Sequence, residues 1–144
     1  RGCVEALVMN EKRTKVLLGK RIIEPWPKWW TFGSRMMAGE SPAEAVSRTM
    51  KEDLGLEVSP SRFTFLDTMS FIWSKRQEPP QENGCHDLAL YYFVQITEQE
   101  SASIKLRPTE YEKTQWFDPK DVTVKAGFHQ ATIKCLKQAI RLKL

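Results

Sequence analysis

GSRMMAGESPAEAVSRTMKEDLGL, residues 33–56, carries the densest set of structural instructions in this chain. Ser41 stands where an N-cap is needed and Pro42 takes the first helical position. Glu44 completes a capping box with Ser41, and Gly55 follows the last helical residue. These signals predict a helix over 42–54. At about 100° per residue, Val46, Met50 and Leu54 fall on one stripe, while Glu52, Thr49 and Asp53 fan across the adjoining face in that order. The apolar stripe is expected to pack on a sheet, leaving the acidic face to look into a cleft. Such a face suits a hard divalent cation, because Mg²⁺ takes oxygen ligands and commonly only one or two carboxylates, with waters and substrate phosphates completing its shell. Taken singly, each carboxylate reads as a solvated surface residue, and Arg48 with Glu52 as an ordinary i,i+4 pair. The joint spacing is what argues for chemistry.

Upstream of the helix, residues 4–9 and 15–23 are β-type runs joined by the polar stretch Asn10-Glu11-Lys12-Arg13-Thr14, which predicts a hairpin. Residues 24–28 form a proline-rich loop, and Trp29-Trp30-Thr31-Phe32 reads as a short strand feeding Gly33-Ser34. Downstream, 62–74 and 87–96 are β-rich, and the polar stretch 75–86 between them, with Pro79, Pro80 and Gly84, is a loop placed to cover a ligand. Residues 113–117 make a last short strand ending at Asp118-Pro119. From about His129 onward Ile133, Leu136, Ile140 and Leu144 recur at helical spacing. The order of elements predicts an α/β (α+β) fold, a mixed β-sheet sandwiched between helices. With no internal repeat or linker, 1–144 is read as one domain.

Composition narrows the class. Of 144 residues, 41% are hydrophobic and 28% charged, which excludes a disordered or membrane-spanning chain and leaves enough length to bury a core without staples. The net charge of +4 comes from lysines spread along the chain, so it describes a solvated surface rather than a nucleic-acid footprint. Cys3, Cys85 and Cys135 are odd in number and far apart, which argues for free thiols in a reducing compartment and against a disulfide framework or a zinc site. There is no long apolar stretch or cleavage-like segment, so no membrane partner is expected and a cytoplasmic location is.

Position by position, residues 33–56 resemble the signature of the Nudix hydrolases, G-x5-E-x7-R-E-U-x-E-E-x-G-U with U aliphatic. Glu40 occupies the first Glu, Arg48 the Arg, Met50 the aliphatic position, Glu52 and Asp53 the acidic pair, and Gly55-Leu56 the close. Ser34 departs from the pattern where the opening Gly belongs, Thr49 replaces the Glu after the Arg, and Asp53 shortens the second acid. The resemblance implies the Nudix fold and hydrolysis of a nucleoside diphosphate linked to another moiety, with Mg²⁺ or Mn²⁺ as cofactor. With Glu52 and Asp53 retained, loss of the middle carboxylate at 49 implies fewer bound metals or a missing base rather than no metal at all.

LLGKR at 17–21 and WWTFGSR at 29–35 resemble the GDP-mannose hydrolase branch, which also departs at the position held here by Thr49. By that resemblance the Gly33 carbonyl and Asp53, with Glu52, are metal ligands. Arg35 and Arg48 match catalytic arginines, Arg21 a substrate-binding one, and Glu5 stands where the branch has an Asp. Arginine suits the task because its planar fork binds phosphate oxygens bidentately without needing deprotonation. PTEYEKTQWF at 108–117 resembles the segment in which an acidic side chain six residues before the Trp completes the metal site or acts as base, here Glu110. Tyr111 replaces the branch's His; with an ordinary pKa near 10 it makes a poor base and is assigned to substrate contact. Trp30 is the aromatic expected to stack on a base or sugar. The implied partner is a small nucleotide, a nucleotide sugar being favoured, and small proteins of this family are often homodimers. Two alternatives stand beside this reading: a nucleotide-binding module that does not cleave, and a pyrophosphatase of oxidised nucleoside triphosphates or of ADP-ribose.

Overall fold

The computed structural model of the protein describes residues 1–142; Leu144, the last residue of the expected C-terminal stripe, lies outside them. The elements run β1 (Gly2–Met9), β2 (Val16–Arg21), β3 (Trp29–Trp30), β4 (Phe32–Arg35), α1 (Pro42–Leu54), β5 (Thr64–Trp73), β6 (Cys85–Gln95), α2 (Glu98–Ala102), β7 (Tyr111–Phe117) and α3 (Gln130–Arg141). The sheet is mixed. Its strands lie in the order β3-β2-β1-β6-β5, with β4 also paired to β1 and β7 to β2. β1 and β6 are parallel, whereas β1 meets β2 and β4 antiparallel.

β1 shows how one strand serves two cores, because successive side chains point to opposite faces. Val4, Ala6 and Val8 join Val46, Met50 and Leu54 of α1 in one apolar layer. Leu7 and Met9 face the other way, where Cys135, Leu136 and Ala139 of α3 cover them. Glu5 shares this second face and is the charge that an all-apolar β1 would lack.

α1 has the expected bounds, with only the Ser41 half of the expected capping box formed. The Ser41 hydroxyl accepts from the Glu44 N–H at 3.2 Å, and Gly55 closes the helix at φ 68°, its N–H bonded to the carbonyl of Lys51. The β1–β2 turn is likewise held by Asn10, whose side-chain oxygen accepts from the N–H groups of Thr14 and Lys15.

Elsewhere the structure corrects the expectation. β2 stops at Arg21 rather than 23, and the 29–32 run breaks at Thr31 into β3 and β4, which pair with different strands. The short helix α2 was not anticipated, although Thr97 and Glu100 form a reciprocal capping box at its start. On α3 the buried stripe is Ala131, Thr132, Cys135, Leu136 and Ala139, while Ile140 is 52% exposed. That stripe is mostly small residues around the single large aliphatic Leu136, and Ile133 and Ile140 fall at its edge.

Gly19 of β2 sits beneath two rings. A Cβ there would meet Cδ1 of Tyr111 at 2.5 Å and Cε1 of Phe32 at 2.9 Å. Overpacking of this kind costs about 1–3 kcal/mol. Gly19→Ala is therefore expected to lower the unfolding free energy in urea by that much and the midpoint with it, and an unchanged midpoint would show that the rings can retreat freely.

Candidate active site

Three segments meet at the C-terminal end of α1. The helix supplies Thr49, Glu52 and Asp53. The turn before β7 supplies Arg107 and Glu110, and it is clamped to the helix end by main-chain bonds from Lys105 N–H to the Leu54 carbonyl at 2.8 Å and from Arg107 N–H to the Asp53 carbonyl at 2.9 Å. β1 and β4 supply Glu5 and Gly33, which face each other across the ladder.

Asp53 is 1% exposed because the helix pitch sets it beside the stripe that buries Met50 and Leu54. Burial, with the Glu110 charge adding to it, pushes its carboxyl up to about 7. The Tyr111 hydroxyl lies 3.5 Å from its Oδ2 and donates to the Thr31 carbonyl at 3.3 Å. Tyr111 is itself 1% exposed, sealed between the sheet and α1, so the expectation that it touches substrate is corrected. It is a wall behind Asp53.

Glu52 stays near the surface, and the acidic face of α1 is thereby split. Its outer carboxylate pairs with Arg48 at 3.1 Å, and its inner one is buried. Between them the Thr49 hydroxyl donates to the Ala45 carbonyl at 2.9 Å and lies 2.6 Å from the Ser34 hydroxyl. Since Thr49 has only one proton to give, Ser34 is the donor of the shared bond. The departures at 34 and 49 thus answer each other.

Arg107, which the sequence reading did not single out, stands at the centre. Its Nη1 is 3.7 Å from Asp53 Oδ1, 3.8 Å from Glu52 Oε2 and 3.7 Å from Glu110 Oε1. Carboxylate oxygens from two elements therefore converge on one cation, and their number and hardness fit a Mg²⁺ or Mn²⁺ ion. Among the described residues no three His, Cys, Asp or Glu side chains stand as a closed ligand set.

Next to this cluster opens a cavity of about 250 Å³. Glu5, Arg21, Trp30, Gly33, Arg35 and Glu110 all border it, together with Phe71, Trp73, Glu78 and Asp87, which the sequence gave no reason to select. Glu5 is 8% exposed, and its carboxylate accepts from Trp30 Nε1 at 3.1 Å and from the Thr31 hydroxyl at 2.6 Å. Burial pushes its carboxyl above the usual range, against the pull of these donors. Any Cβ at Gly33 would collide with that carboxylate, so this glycine is required for the close approach.

The three expected arginines separate. Arg21 makes no salt bridge among the described residues, and its Nε is buried without a hydrogen-bond partner. Arg35 pairs with Glu78 of the 75–86 loop, which does reach over the cavity. Arg48 instead grips Glu40 through Nε at 3.0 Å and Nη2 at 2.7 Å, holding that carboxyl below its usual range, and also binds the Arg35 carbonyl. All its donor nitrogens are engaged, which makes it a fastener of the 35–40 loop to α1. His129 caps α3 through Nδ1 and packs edge-on to Trp26 and Trp30 in an aromatic cluster.

A model of the NUDIX domain matches residues 1–139 of this chain. The chain belongs to the Nudix family. Solved structures of similar fold include a MutT Nudix hydrolase from Burkholderia pseudomallei, with 24% identity, 96% of each chain covered and a TM-score of 0.75. The Nudix domain of Shewanella oneidensis NrtR, solved with ADP ribose, has 16% identity over 99% of this chain and 88% of its own, with a TM-score of 0.72. A Caenorhabditis elegans Ap4A hydrolase in a binary complex has 12% identity over 99% of this chain and 96% of its own, with a TM-score of 0.71. At such identities the likeness is one of fold. No curated protein matches the chain. Nudix membership makes it a hydrolase by class, and Nudix hydrolases generally use divalent metals. No helix among the described residues is long and apolar enough to cross a membrane.

The raised Asp53 carboxyl has a consequence for stability. An acid whose pKa rises on folding, here from 3.8 to about 7, makes the folded state bind more protons than the unfolded one across that window. Stability then falls as pH rises through it, by at most about 1.4 kcal/mol per pH unit. Without metal, Asp53→Asn is expected to gain stability relative to the parent between pH 5 and pH 8 in urea titrations. An identical difference at both pH values would show that Asp53 is ionised throughout.

Proposed function

We propose that this Nudix protein is a Mg²⁺- or Mn²⁺-dependent hydrolase of a nucleoside diphosphate linked to another moiety, with a GDP-mannose-like nucleotide sugar favoured. The observation that carries this reading is Arg21, a guanidinium with a buried, unpartnered Nε at the edge of a cavity that also meets Gly33 and Glu110. A buried donor without an acceptor costs about 1–3 kcal/mol, and a phosphate oxygen is the acceptor its geometry suits.

In this reading Asp53, Glu52, Glu110 and the Gly33 carbonyl would hold the ion, which would supply charge stabilisation on the diphosphate. Arg21 and Arg35 bind the phosphates, the latter after release from Glu78. Glu110 takes the proton of the attacking water, and Arg48 positions the loop that carries Arg35. Trp30, Phe71 and Trp73 line the cavity together with Glu5, whose carboxylate offers acceptors to sugar hydroxyls. The departure at Thr49 is one that the GDP-mannose hydrolase branch also makes.

A second reading rests on the Ser34–Thr49 pair, which puts a neutral bond where the family pattern has a carboxylate. By it the chain binds a nucleotide without cleaving it. A pyrophosphatase of nucleoside triphosphates or ADP-ribose is the third, favoured by the ligand named for the NrtR domain.

Nucleotide sugars, ADP-ribose, diadenosine polyphosphates and nucleoside triphosphates, each offered with Mg²⁺ or Mn²⁺, separate the three. Turnover of a nucleotide sugar is expected, with a Glu52→Gln/Asp53→Asn double variant inactive. Glu110→Gln is expected to lower kcat by roughly 10²–10⁴-fold. Arg21→Ala is expected to lower kcat/KM about ten- to a hundredfold. Thermal stabilisation by a nucleotide that is indifferent to chelator, with no product, would support the binding module instead.

A further inference from the structure

Arg107 is held in an unusual way. Its Nη1 lies 3.7–3.8 Å from carboxylate oxygens of Glu52, Asp53 and Glu110. Each distance is longer than an N–H···O bond of good geometry, so the guanidinium is kept there by the combined field of the acids rather than by a fork-to-fork pair. Its side chain is 40% exposed on the solvent side. Its main chain, by contrast, is fixed on both sides, the N–H to the Asp53 carbonyl at 2.9 Å and the carbonyl to the Tyr111 N–H at 3.3 Å. Only the side chain is free to leave.

We propose that Arg107 is a built-in counter-cation that competes with the divalent ion for the same carboxylates and must swing out for the metal to load. The proposal rests on the metal reading given above and deepens it. A small divalent ion draws its oxygen ligands to about 2.1 Å, which a guanidinium in their midst prevents, and two cations a few ångströms apart repel. The neutral Ser34–Thr49 pair strengthens the competition, since one negative charge fewer is available to overcome the resident positive one. Arg107 thereby sets the metal concentration at which the site becomes competent.

The test is Mn²⁺ binding to the full chain, followed by calorimetry and by the free-ion electron paramagnetic resonance signal. Arg107→Gln is expected to tighten Mn²⁺ about five- to tenfold, the range left after solvent screening of a half-exposed charge, and Arg107→Lys to remain near the parent. Parent and Arg107→Gln binding Mn²⁺ equally, or the variant binding more weakly, would overturn this proposal while leaving the metal reading standing. No Mn²⁺ binding by either would overturn both. A measurement on the parent alone covers the case of a variant that does not fold: Mg²⁺ is expected to move the Arg107 Nε–Hε NMR resonance to that of a solvated guanidinium. An Arg107 resonance unmoved at saturating Mg²⁺ would overturn the proposal.

Discussion

Burial of one carboxylate organises this site. α1 must lay Val46, Met50 and Leu54 on the sheet to make its core, and at helical pitch Asp53 goes down beside them. A buried acid needs polar neighbours or a proton. Here the Tyr111 hydroxyl faces one oxygen and Arg107 the other. The turn that carries Arg107 and Glu110 is bolted to the last carbonyls of the same helix, so packing of α1 and assembly of the acidic cluster are one event.

The opposite wall depends on a second close fit, between the Glu5 carboxylate and the bare Cα of Gly33. Glu5 interrupts the apolar face that β1 presents to α3, and Trp30 at the end of β3 and Thr31 just after it supply the donors that make its burial tolerable. The cavity lies where these two arrangements meet, with Arg21 at its edge. The helix site, one carboxylate short of the family pattern, thus stands beside Arg21, Arg35 and the buried Glu5.

How far this was legible in the sequence depended on range. α1 was readable to both ends because its signals are local: a cap, a proline, a capping Glu and a terminal glycine within fifteen residues. The carboxylates Glu52, Asp53 and Glu110 and the cavity residues Glu5, Arg21, Trp30, Gly33 and Arg35 were all singled out from spacing and resemblance, and the fold brings them to one place. Tyr111 was misread because its neighbour Glu110 faces the cleft, and a strand turns its next residue the other way. Arg107 was missed because nothing in LRPTE shows that its main chain is tied to a helix fifty residues earlier. Short α2 did carry a signal, the Thr97–Glu100 capping box, but its apolar content is too small for periodicity to reveal it.

The central claim is that Asp53 is a buried acid whose charge must be matched by a cation. Its side-chain carboxyl can be followed directly by carbon-13 NMR across a pH titration of the metal-free protein. The account predicts a midpoint near 7, far above the ordinary 3.8, falling when Mg²⁺ is added. A midpoint close to 4 without metal, unmoved by Mg²⁺, would contradict it.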